Sequence, residues 1–219
     1  MKIIKLTTAL IISGLLFSCA TQDKEVPVDG LDKPMLLLGD SQLGVFLVND
    51  RNELKKYSKI IVPLIRVDAL KIMTTRDRST DISWENVSYE DILPYITPYE
   101  SVANKIFKSS RGPLTITDEP GENTLRLDAS LIAFRPNVHF NASLESNTVV
   151  KETIRSYGDL KIRMRLVDSK SGKLVAFIED DVKMALTVDS TNTTGNMRRV
   201  WKQTFKHWLS RLRSDIKRL

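Results

Sequence analysis

Residues 160–178 read LKIRMRLVDSKSGKLVAFI, and this stretch decides the fold class. Leu160, Ile162, Met164 and Leu166 alternate with Lys161, Arg163 and Arg165. A period of two turns one apolar and one polar face outward, as a half-buried strand requires. Asp168-Ser-Lys-Ser-Gly172-Lys173 interrupts with turn residues, and the apolar run Leu174–Ile178 is placed to pair back. The stretch predicts a β-hairpin with an apolar face that other elements must cover.

Working upstream, Leu114–Phe134 has the same grammar. Leu125, Leu127 and Ala129 alternate with Arg126, Asp128 and Ser130 behind the turn Asp118-Glu-Pro-Gly121, where Gly121 suits a positive φ. A second hairpin is expected there, followed by a polar loop over 136–156. Further upstream, Lys59–Val67 (KIIVPLIRV) is β-branched and apolar, a largely buried strand with a bulge or edge at Pro63. Val45–Val48 supplies a short strand, and residues 74–88 read as a surface loop.

Two helices are available as cover. Thr97-Pro98-Tyr99-Glu100 has the form of a capping box with proline at the first helical position. Tyr99, Val102, Ala103, Ile106 and Phe107 then form one apolar face, and Gly112-Pro113 stops the helix. Ser88–Leu93 offers an earlier turn. At the C-terminus Met197, Trp201, Phe205, Trp208, Leu212, Ile216 and Leu219 recur at spacings of 4, 4, 3, 4, 4 and 3, one continuous seam. The expected architecture is a single α+β domain over 35–219. It has a mainly antiparallel sheet of about five strands, a mid-chain helix, and a C-terminal amphipathic helix on one face.

The N-terminus carries an address. Lys2 and Lys5 precede an apolar run, Leu6–Phe17, that is far shorter than the roughly 20 residues a membrane-spanning helix needs. Leu16-Phe17-Ser18-Cys19 resembles the bacterial lipobox. That resemblance implies cleavage between Ser18 and Cys19, diacylglycerol on the Cys19 sulfur and acylation of the new amine. Residues 1–18 are thus expected to be a signal peptide. Cys19 is the only cysteine, so no disulfide within the chain competes for it. Ala20 rather than aspartate follows, which by resemblance to enterobacterial sorting points to the outer membrane, periplasmic face. Residues 19–34, polar with Pro and Gly, read as the lipidated end and a flexible tether reaching roughly 50 Å.

Charge is unevenly spread. The whole chain has a formal charge of +6, and residues 196–219 alone carry Arg198, Arg199, Lys202, Lys206, Arg211, Arg213, Lys217 and Arg218 against one acid, Asp215. A basic helix on an anchored protein implies an anionic neighbour, either lipid headgroups or an acidic envelope protein. Its address takes it away from nucleic acid. The candidate contacts are Arg198, Arg199, Lys202, Lys206, Arg211 and Arg213.

YSKIIV (57–62), DEPGENTLRLDASLIAFRP (118–136) and GDLKIRMRLVDSKSGKLVAFIEDD (158–181) together resemble a family of proteobacterial lipoproteins known as domain of unknown function 3313. The family implies an anchored α+β domain and brings no catalytic residues. The loop at 74–88 and the proline-broken start of the first helix depart from it.

No catalytic set emerges. His139 and His207 stand apart without ligands at metal spacing, and His207 lies beside the seam. Asp180 and Asp181 are adjacent in a strand and so point to opposite faces. There is no G-x-S-x-G, S-x-x-K or phosphate loop. The expectation is a non-enzymatic envelope module without cofactor or metal. The alternative is a small-ligand-binding or hydrolytic domain using a pocket between sheet and helices.

Overall fold

The computed structural model describes residues 24–28, 33–108, 112–140, 156–185 and 193–219. In chain order the first elements are β1 (Lys24–Val26), β2 (Met35–Leu37), β3 (Val45–Val48), α1 (Arg51–Leu54), β4 (Lys59–Ile61) and β5 (Lys71–Ile72). The helices α2 (Arg78–Trp84), α3 (Tyr89–Ile96) and α4 (Pro98–Phe107) follow. Then come β6 (Thr115–Ile116), β7 (Thr124–Pro136), β8 (Gly158–Asp168), β9 (Leu174–Met184) and the long α5 (Thr194–Arg218).

The β8–β9 hairpin is the centre of the sheet, paired from Gly158 opposite Met184 to Val167 opposite Leu174. Its turn is built as its residues require. Gly172 has φ +73°, and the Asp168 carboxylate accepts from the N–H groups of Lys170 and Ser171. β7 pairs antiparallel with β8 along its length, with one bulge between Leu131 and Ala133. β3 pairs antiparallel on the other side of β9.

The sheet is larger and more mixed than the expected five antiparallel strands. Nine described strands join in the order β1-β2-β3-β9-β8-β7-β4-β6, with β5 also on β7, and the β4–β6, β4–β7 and β5–β7 pairs are parallel. The predicted Leu114–Phe134 hairpin does not form, because β4 lies between β6 and β7. Gly121 is not the left-handed residue of that turn; Asn123 is, at φ +56°. Its carbonyl accepts the N–H groups of Ser58 and Lys59, so the turn receives β4 instead of returning β6. Past Pro63 the strand predicted over 59–67 leaves β7. It touches again only at Arg66, opposite Ser130, and then at β5.

Two further expectations change. Residues 74–88 hold α2, because Asp77 caps it by accepting from the N–H groups of Ser79 and Thr80, and buried Trp84 anchors it. The Ser79 and Thr80 hydroxyls, with those N–H groups, hold the Asp77 carboxyl down to about 2. The capping box belongs to Ser88 and Asp91, at the start of α3. Thr97 is itself helical and makes no side-chain cap, so α3 and α4 meet there as one bent helical stretch. The predicted 136–156 loop is described only as far as Phe140 and from Ser156; the rest lies outside the described residues.

α3, α4 and α5 cover one face of the sheet. Leu125, Leu127, Leu131, Leu160, Ile162, Met164, Leu166 and Ile178 belong to the same buried cluster as Tyr99, Phe107 and every predicted seam residue of α5 from Met197 to Ile216. Trp201 lies 5.7 Å from the Phe134 ring of β7, and Phe205 meets Tyr99 edge-on at 5.4 Å. The other sheet face carries charge, including Arg126 paired with Asp128 and Glu179 paired with Lys161 and Arg163.

Candidate functional site

α5 begins at a Thr193 cap whose side chain accepts from the Asn196 N–H. Its seam is buried while its outer side is basic. Arg198, Arg199, Lys202 and Lys206 are all exposed, and their spacing along a helix places them on one stripe. The predicted group divides at that point. Arg211 is half-buried and donates to the Gln42 carbonyl at 2.8 Å, and Arg213 lies across Gly112, where a Cβ would meet its guanidinium. Arg218 reaches the Asp40 carbonyl at 2.8 Å.

These bonds lead to an arrangement that sequence reasoning missed. The β2–β3 loop, residues 38–44, is latched by two buried carboxylates, one on the C-terminal half of α5 and one on β9. Asp215 accepts from the Ser41 hydroxyl at 2.7 Å and the Gln42 N–H at 3.0 Å, and pairs with Arg218. Asp180 of β9 accepts from the Gly44 N–H at 2.9 Å. Gly44 suits this approach, because a Cβ there would sit 3.0 Å from the Asp180 oxygen. Burial pushes the Asp180 carboxyl up, against the Gly44 N–H and the Arg211 charge. Its second oxygen makes no hydrogen bond of normal geometry; the Trp208 indole N–H beside it helps to hold the carboxyl down.

Both carboxylates had a sequence signal. Asp215 is the lone acid of the basic helix and stands three residues after seam Leu212. Asp180 falls on the inward register of β9, two residues after Ile178. As the alternation implied, Asp181 is exposed on the opposite face.

Beside the latch is a shallow cleft of about 370 Å³ lined by Gln42, Gln203, Lys206, His207, Ser210 and Arg211. His207 is half-buried there; burial and the Arg211 charge lower its proton affinity, and Asp180 opposes them. His139 is elsewhere, its Nε2 3.4 Å from the Ser79 hydroxyl at the start of α2. Among the described residues no three His, Cys, Asp or Glu side chains come together as a metal site. Leu16, Phe17, Ser18 and Cys19 lie outside the described residues.

The N-terminal side of the domain meets this same end. β1 pairs with β2 so that Lys24 faces Leu37, three residues before the Asp40 that Arg218 holds. The stretch read as a flexible tether over 20–34 therefore includes a strand of the sheet. Five Cα steps separate Cys19 from Lys24, a reach of at most about 18 Å.

No family model matches the chain. No curated protein matches it. Among solved structures it is similar to the PelC dodecamer from Paraburkholderia phytofirmans, at 12% identity over 72% of this chain and 90% of that one, with a TM-score of 0.35. A DUF330 protein from Xanthomonas campestris matches at 10% identity, 71% and 81% coverage and a TM-score of 0.38. The hypothetical protein CT253 from Chlamydia trachomatis matches at 8%, with 74% and 99% coverage and a TM-score of 0.39. Likenesses this distant decide neither family nor function. No helix of the described residues is long and apolar enough to cross a membrane.

Proposed function

We propose that this chain is a lipid-anchored lipoprotein of the bacterial envelope. Cys19 is its acylated N-terminus at the periplasmic face of the outer membrane, and the domain is a non-enzymatic module resting its basic helix on anionic headgroups. Kinship with the domain of unknown function 3313 lipoproteins belongs to the same reading and rests on the residues quoted for it. The observation that carries the proposal is the shared end of the molecule. The β1–β2 pairing and the latch bring the start of β1 beside the C-terminal half of α5. A lipid on Cys19 would then hold Lys24, at the start of β1, within about 18 Å of the leaflet, and each basic residue of α5 that reaches the surface adds about 1 kcal/mol of attraction.

The reading has two tests. Metabolic labelling with palmitate should mark the wild-type chain and leave Cys19→Ser unlabelled; equal labelling of both would end it. In vesicle flotation, replacing Arg198, Arg199, Lys202 and Lys206 with glutamine should weaken binding to anionic vesicles at least about tenfold. Binding to neutral vesicles should stay the same. Equal binding of wild type and variant to anionic vesicles would remove the helix from the proposal.

A further inference from the structure

Arg198, Arg199 and Lys202 form an open surface, whereas the cleft beside the latch, which takes in Lys206 at the end of that stripe, has a composition of its own. All six lining side chains offer N–H or O–H donors: the amides of Gln42 and Gln203, the Lys206 ammonium, the His207 imidazole, the Ser210 hydroxyl and the Arg211 guanidinium. None of them is a carboxylate. The two acids beside it are both buried: Asp180 accepts from the Gly44 N–H, and Asp215 is bonded to Ser41, Gln42 and Arg218.

The backbones that carry these donors are set by the fold. Lys206, His207, Ser210 and Arg211 project from successive turns of one rigid helix. Gln42 is fixed opposite them by its own N–H on Asp215 and its carbonyl on Arg211. A wall of donors with two cations, Lys206 and Arg211, matches a compact anion that has several acceptor oxygens. Tetrahedral phosphate is that anion, since guanidinium binds it through a fork of N–H groups and ammonium as a point charge. A volume of about 370 Å³ admits the phosphate together with a small ester group.

We infer that this cleft between the β2–β3 loop and α5 binds a phosphate group, carried by a lipid headgroup or free in solution. The inference rests on the membrane-facing reading for its access to headgroups, but its chemistry stands apart from the anchor.

The test uses the full chain in neutral detergent, titrated with inorganic phosphate and with glycerol phosphate. Binding is followed by calorimetry and by the ring protons of the two histidines. Saturable binding of either probe is expected, with the His207 ring protons shifting as the probe is added and the His139 ring protons staying where they are. Tighter binding of glycerol phosphate identifies a headgroup site; equal or tighter binding of inorganic phosphate identifies a free-phosphate site. Lys206→Gln and Arg211→Met should each weaken binding at least about tenfold.

Arg211 also holds Gln42, so Lys206→Gln, at an exposed position with no ion pair among the described residues, guards against misfolding as the explanation. Lys183→Gln, exposed on β9 and in neither the stripe nor the cleft, should leave probe binding unchanged. Absence of saturable binding of both probes overturns the inference, as does movement of His139 together with His207. If vesicle binding persists without probe binding, the cleft fails and the membrane reading survives. Probe binding without any preference for anionic vesicles has the opposite meaning.

Discussion

The β8–β9 hairpin and the corner made by β4, β6 and β7 are built from similar β-branched and apolar residues, but they close in different ways. The hairpin closes through its own turn. Between Asp168 and Lys173 the chain needs one left-handed residue, Gly172, and the Asp168 carboxylate takes the Ser171 N–H and hydroxyl at 2.7 and 2.8 Å. The corner closes through segments far apart in the chain. β6 and β7 are separated by a short turn but never pair, and Ile60 of β4 sits fully buried between them. Local turn chemistry suffices where it satisfies its own backbone. Where the turn leaves a carbonyl such as that of Asn123 unmatched, a distant strand is recruited to it.

The sharpest way to break the corner is Ile60→Ala, which removes the wedge from a site with no solvent access. Unfolding in denaturant should show a loss of about 4 kcal/mol, the range for a large-to-small change in a packed core. A loss below about 1 kcal/mol would mean that β4 fills the corner without holding it.

At the far end of the hairpin, Gly158→Ala should cost somewhat less, about 3 kcal/mol from backbone strain and a clash. Gly158 has φ +143°, and a Cβ there would run into the Arg135 carbonyl and the Phe134 ring. Thermal unfolding should register the loss as a clearly lowered midpoint.

The turn itself should respond mildly. Gly172 has φ +73° with open space around it, so Gly172→Ala should cost only the left-handed penalty, about 1 kcal/mol. Asp168 adds a pH signature. Hydrogen bonds from the Ser171 N–H and hydroxyl, then from the Tyr57 hydroxyl, hold its carboxyl below the ordinary value. A carboxyl lowered in the folded state stabilises above its unfolded pKa, and that contribution is lost as pH falls through the folded value. Asp168→Asn should therefore reduce the acid sensitivity of unfolding; an unchanged acid limb would show that this turn does not contribute to it.

The smallest effect belongs to the charged outer face that the two regions share. Arg126 and Asp128 pair at 2.7 Å with both side chains partly in solvent. Arg126→Ala should shift stability by less than about 1 kcal/mol, and less still in high salt. A larger change would reveal something resting on that face.

What the sequence determined by itself is whatever short-range periodicity and turn chemistry specify. The alternation of Leu160–Leu166, the Asp168–Gly172 turn and the seam from Met197 to Ile216 all stand as read, because each depends on neighbours within a few residues. Asp215 was legible as an acid out of place among cations, and Asp180 as a polar residue on an apolar register. Their task was not, because it depends on Gln42 and Gly44, which reach them only when β3 adds to β9. Tertiary structure alone decided the insertion of β4 between β6 and β7, the capture of Lys24–Val26 by β2, and the donor-lined cleft. Each is selected by which backbone groups and apolar faces the assembled sheet leaves open. No local pattern encodes that choice, since the open groups exist only once the rest of the sheet has formed.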